Sequence, residues 1–123
     1  MFATLAALAV ALTGAATPLK VTLTGLTHTP TVKARHYYTV RATEAGKPVS
    51  ARLTEIFVDP LGGKHPVTYG TTSKPIKNWP FKGSFRDFLT FPASGRGVTL
   101  TFRLTIVAGK AKKTINYKVT PSA

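Results

Sequence analysis

The run Val98-Thr99-Leu100-Thr101-Phe102-Arg103-Leu104-Thr105-Ile106 decides the fold. Its even positions are all apolar, and its odd positions are Thr or Arg. Side chains of a strand point alternately to opposite faces. The run therefore sends Val98, Leu100, Phe102, Leu104 and Ile106 to a core, and Thr99, Thr101, Arg103 and Thr105 to water. It reads as the central strand of an antiparallel β-sandwich.

The same period of two recurs on both sides. Leu19-Lys20-Val21-Thr22-Leu23-Thr24 alternates and reads as the first strand. Gly25 to Thr31, with Pro30, is the turn after it. Ala34 to Thr43 forms the second strand, with Tyr38, Val40 and Ala42 inward and Arg35, Tyr37, Thr39, Arg41 and Thr43 outward. Glu44-Ala45-Gly46-Lys47 is a turn in which Gly46 is free to take a positive φ, and Pro48 opens a strand. Val49 to Val58 is the next strand, with a less regular pattern. Val49, Ala51, Leu53 and Phe57 share a face with Glu55, and Ile56 and Val58 share the other with Arg52 and Thr54. Either a bulge near Glu55 turns Ile56 and Val58 inward, or both faces are partly covered.

Asp59 to Gly83 is irregular and rich in Pro and Gly. One or two short strands are expected inside it, including an edge strand within His65–Tyr69, because a structureless stretch of that length is unusual in a compact domain. Ser84 to Phe91 is a strand, with Phe85, Leu89 and Phe91 sharing a face with Asp87. A tight turn around Ala108-Gly109-Lys110 leads to the last strand, Thr114–Val119, which directs Ile115, Tyr117 and Val119 inward. There is no βαβ alternation. About seven short strands with regular turn signals predict an all-β, antiparallel Greek-key sandwich of immunoglobulin-like type.

The hairpin from Tyr38 to Leu53 carries a resemblance. It is similar to the second-to-third strand hairpin of bacterial extracytoplasmic immunoglobulin-like modules, among them YtkA-like and invasin-type domains. Their recurring pattern is V-x-V-x-D-x-x-G-x-P-V-x-x-A-x-V; here Glu44 or Thr43 stands where Asp is common. The resemblance implies the sandwich over residues 19–120 and transfers no functional residue, since such sandwiches host many roles.

Residues Phe2 to Ala16 are rich in Ala, Leu and Val. As a helix they reach about 22 Å, against about 30 Å of bilayer hydrocarbon, so they span a membrane poorly. Small residues follow the apolar centre, the order of a secretory leader. Cleavage is expected after Ala16, leaving residues 17–123 as one domain that is secreted or held at the cell envelope. The run has no Lys or Arg before it, which points to a late start or an atypical signal; the alternative is a buried N-terminal helix. The chain has no Cys, which excludes disulfides, thiolate metal sites and a lipidated cysteine.

Seventeen Lys and Arg oppose four Asp and Glu, a formal net charge of +13. Such a balance attracts polyanions: an anionic wall polymer, a glycan, a membrane surface or nucleic acid. The leader argues against a cytosolic nucleic-acid role, so dedicated nucleic-acid binding ranks below an envelope role. The plainest alternative is a basic, solvated surface without a partner. Tyr69, Lys74, Lys77, Trp79, Phe81 and Lys82 interleave aromatics and cations and form the candidate ligand-contact set. Against that, Trp79 and Phe81 are also suited to closing the sandwich. His28, His36 and His65 come from three segments; two with a carboxylate would suit copper or zinc, but the ligand count is sparse, and no metal or other cofactor is expected. No Ser sits in a nucleophile elbow and no His spacing suggests a triad, so no catalytic residue is assigned and no enzyme is expected. Glu55 and Asp87 fall on apolar faces. They are either an acid/base pair or, as we expect, edge or bulge residues satisfied by an Arg or a Tyr hydroxyl.

Overall fold

The computed structural model describes residues 18–60, 67–70 and 74–123. The leader-like run lies outside these residues, as do His65, Pro66 and Ser73. Among the described residues the chain forms β1 (Leu19–Thr24), β2 (Arg35–Glu44), β3 (Lys47–Pro48), β4 (Ser50–Val58), β5 (Thr68–Tyr69), β6 (Trp79–Lys82), β7 (Ser84–Thr90), β8 (Leu100–Ala108) and β9 (Ala111–Val119). A single 3-10 turn, Ala93–Gly95, precedes β8. One sheet runs β1-β2-β7-β5, with β3 also paired to β2; the other runs β6-β4-β8-β9. Every pairing between strands is antiparallel. The chain crosses from the first sheet to the second after β3, after β5 and after β7, so the expected Greek-key sandwich is present. β5 comes before β6 in the chain, although β5 lies in the first sheet and β6 in the second.

The period-two reading places the core. Leu100, Phe102, Leu104 and Ile106 of β8 are buried and face Tyr38, Val40, Ala42 and Leu89 of the other sheet. Phe57 stacks on Phe102 at 4.6 Å and meets Phe91 edge-on at 5.7 Å. Burial of each large side chain of this kind stabilises the fold by about 2–3 kcal/mol. Val98 lies just before β8 and is half-buried; its N–H bonds to the carbonyl of Gly95.

Three expectations are corrected. β4 carries no bulge: its register with β8 runs unbroken from Arg52↔Val107 to Val58↔Thr101. Glu55 therefore points straight into the core and Ile56 points out. Glu55 is neither an edge nor a bulge residue, since it pairs with Leu104 of β8 on one side and its N–H donates to the Ile76 carbonyl at 2.9 Å on the other; Asp87 pairs with Tyr38 of β2 and lies beyond the stretch of β7 that β5 covers. The last strand starts at Ala111, not Thr114, because the two-residue turn Gly109-Lys110 lets the ladder continue from Ala108↔Ala111 onward. Gly109 has φ +60°, at the first turn position, where a type II′ hairpin uses Gly.

The β2–β3 hairpin turns on Ala45 (φ +53°) and Gly46 (φ +77°), with Glu44 opposite Lys47. Positive φ at both turn positions is the type I′ geometry, which favours Asn-Gly. Ala45 bears the cost of a left-handed conformation, about 1 kcal/mol. Ala45→Asn is expected to raise stability by about 0.5–1 kcal/mol in thermal or urea unfolding; an unchanged midpoint would show that Ala45 is not strained.

Candidate functional site

The distribution of charge is set by where the acids go. Glu55 is 0% exposed and Asp87 is 4% exposed. Glu55 projects from β4 in one sheet. Tyr38 and Asp87, register partners on β2 and β7, face it from the other. The Tyr38 hydroxyl lies 2.7 Å from Glu55 Oε1 and 2.8 Å from Oε2. One hydroxyl proton serves one of those contacts well. A proton on the carboxyl, donated back to the Tyr38 oxygen, serves the other. Burial is the main force on this carboxyl and pushes its pKa up to about 8. The Tyr38 hydrogen bond opposes that rise, and the charge of Asp87 adds to it. Burial, with the Glu55 charge, also raises the Tyr38 and Tyr69 phenols above their usual range.

The remaining acids, Glu44 and Asp59, sit at the ends of strands and are half-buried. The outer face of the first sheet therefore presents Lys20, Arg35, Arg41 and Arg86 among threonines, with no carboxylate. The outer face of the second presents Arg52, Lys82, Arg103, Lys112 and Lys118, again with none. On that second face a shallow groove is lined by Ser50, Arg52, Pro80, Phe81, Lys82 and Val107. Arg52 donates to the carbonyl of Asn78 at 2.9 Å, and Arg103 donates to Asn116 Oδ1 at 2.8 Å.

The structure divides the candidate ligand-contact set. Tyr69 is buried beside Phe57, at 6.3 Å. Trp79 and Phe81 are half-buried on edge strand β6, where both pack on Phe85, at 6.2 and 6.3 Å, and close the open side of the sandwich. Lys74, Lys77 and Lys82 are exposed. The lysines are thus the exposed members of the set, and its aromatics are buried or half-buried.

The described histidines are held apart. His28 Nδ1 donates to the carbonyl of Lys118 at 2.6 Å while its ring stacks on Tyr117 at 4.2 Å. His36 Nε2 donates to the carbonyl of Thr31 at 2.8 Å. Among the described residues no three His, Asp or Glu gather as a group able to hold a metal. No helix among them is long and apolar enough to cross a membrane.

No protein-family model, curated protein or solved structure matches this chain. Its surface chemistry carries the functional reading.

A feature of the first sheet was missed by reading segments singly. Tyr37 and Phe88 are direct partners on its outer face, with ring centroids 5.2 Å apart. The Arg35 guanidinium lies 4.7 Å over the Phe88 ring, and that of Arg86 lies 4.7 Å over the Tyr37 ring. Outward parity marked Arg35 and Tyr37 within their own strand. The pairing register that joins them to Phe88 and Arg86 is not encoded in any local pattern.

Proposed function

We propose that this chain is a secreted, non-enzymatic immunoglobulin-like module of the bacterial cell envelope that binds polyanions through its basic outer faces. The observation that carries this reading is the withdrawal of Glu55 and Asp87 into the core. It leaves both sheet faces cationic with no carboxylate to offset them. A face of one sign raises the local concentration of an oppositely charged polymer and speeds encounter. The apolar run Phe2 to Ala16 and the resemblance of the Tyr38–Leu53 hairpin to extracytoplasmic modules support the location. The partner on the β6-β4-β8-β9 face is an anionic wall polymer, glycan or membrane surface, held by charge and Thr hydroxyls rather than by a deep pocket.

Heparin serves as the test polyanion. Binding is expected at low salt, with log K falling linearly against log salt, as release of several counterions requires. Failure to bind at about 50 mM salt would remove the proposal. Mass spectrometry of the mature N-terminus in the native host tests export separately: a start at Thr17 in the envelope or medium supports it, and an intact Met1 in the cytosol overturns it.

A further inference from the structure

We infer that the outer face of the β1-β2-β7 sheet is a binding platform for a flexible single-stranded nucleic acid, with Tyr37, Phe88, Arg35 and Arg86 at its centre. The inference rests on the polyanion reading and names the ligand class for one face. Outward-facing positions along β2 form rows about 7 Å apart. The row at Arg35 carries a cation, and the next is the aromatic pair Tyr37–Phe88. The row at Thr39 holds Arg86, the row at 41 holds Arg41, and the row at 43 holds Lys20 from β1. A chain lying along the strands thus meets aromatic surface at the second row and cations at the other four.

Two details favour nucleic acid over a plain anionic polymer. Both central cations are arginines laid on rings, which holds each guanidinium in place before a ligand arrives and lowers the entropy lost on binding. A guanidinium lying on a ring also keeps an outward face and its N–H fork. The fork suits a phosphate oxygen and the face suits a base, so one residue serves both parts of a nucleotide. Arg35, Arg41 and Arg86 are all exposed. Tyr37 is 42% exposed despite its size. Phe88 packs over Gly70, where a Cβ would meet its ring at 2.4 Å, so the backbone just after β5, held by the Gly70 N–H to the Phe88 carbonyl at 2.9 Å, supports the ring. A glycerol-phosphate polymer or a sulfated glycan would use the charges and leave the stacking surface idle. A duplex keeps its bases paired inside, and splayed bases are what a stacking platform takes.

The test compares labelled oligo(dT), a DNA duplex, a glycerol-phosphate polymer and heparin on the whole protein. Oligo(dT) is expected to bind with a log–log salt slope of about −2 to −3, as three or four phosphate contacts give. Tyr37→Ala is expected to weaken oligo(dT) binding about fivefold or more, through loss of ring and stack. Arg86→Lys keeps the charge and removes the planar group, so it should weaken oligo(dT) while leaving heparin binding in place. Thermal melts of both variants should stay near the parent, since both side chains are on the surface. Lys110→Ala, in the turn between β8 and β9 and outside both sheet faces, is the comparison and should leave oligo(dT) affinity unchanged. Equal affinity for the duplex or the glycerol-phosphate polymer, or an unchanged oligo(dT) affinity in both variants, would overturn the platform while the polyanion reading stood. Absence of heparin binding would remove both.

Discussion

Glu55→Gln is expected to keep a nearly constant stability from pH 5 to pH 9, while the parent protein loses on the order of 3–5 kcal/mol over the same span. The sign follows from the direction of the shift. Glu55 titrates near 8 in the folded protein against 4.5 when exposed. Between those values the folded state holds a proton that the unfolded chain has released, so stability falls as pH rises. The full contribution is present below about pH 4.5 and is gone once pH has passed about 8. The groups facing Glu55 work together: Tyr38 from β2, Asp87 from β7 and Tyr69 from β5. Asp87 places a second carboxyl near the site, and neither phenol ionises in this range. Gln preserves the shape, accepts from the Tyr38 hydroxyl and donates back, as the protonated acid does. Urea unfolding at several pH values checks this. At pH 9 the Gln variant should melt more than about 10 °C above the parent. At pH 5 the two should nearly coincide. Parallel curves across the range would show that the folded protein accommodates an ionised Glu55. Tyr38→Phe works in the opposite sense: it strips the carboxyl of its partner and should cost about 1–3 kcal/mol, most at high pH.

That behaviour bears on function through charge. The proposed polyanion contacts use exposed Lys and Arg, whereas this pH response sits in the core, so salt tests the first and pH the second.

The core was readable because one face of each long strand is buried, and a period of two records burial directly. Phe102, Leu104, Val40 and Ala42 lie where alternation places them. Glu55 breaks the pattern, and its neighbours Ile56 and Val58 made a bulge the natural expectation. The unbroken β4–β8 register shows that the chain instead accepts a buried carboxyl, satisfied by a tyrosine from the other sheet. No local pattern predicts that contact, because it joins residues seventeen apart in sequence and on opposite layers. Trp79 and Phe81 pack on Phe85 and are half-buried, a contact that the aromatic and cation spacing of their own segment does not encode. The Arg–aromatic face was hidden for the same reason as the Glu55 contact. Strand parity gives a side chain's face, whereas its partner depends on which strands pair and in what register.

Gly83→Ala should cost about 2–3 kcal/mol, because two crossovers between the sheets meet at that residue. The chain passes from the first sheet to the second between β3 and β4, and returns between β6 and β7. Backbone hydrogen bonds tie these passages together. Ala42 N–H donates to the Gly83 carbonyl at 2.9 Å, Gly83 N–H to the Val49 carbonyl at 3.0 Å, and Val49 N–H to the Ala42 carbonyl at 3.3 Å. Gly83 adopts φ +77°, which an alanine resists. A Cβ there would also stand 2.9 Å from Cβ of Pro48, whose ring has little freedom to yield. Gly46 separates the two contributions. It has the same φ of +77° and nothing within 4 Å of an added Cβ, so Gly46→Ala should show the conformational cost alone, about 1 kcal/mol. Paired urea titrations measure the difference. A Gly83→Ala loss no larger than that of Gly46→Ala would mean that the corner relaxes around Pro48 and that the crossovers do not fix the spacing of the layers.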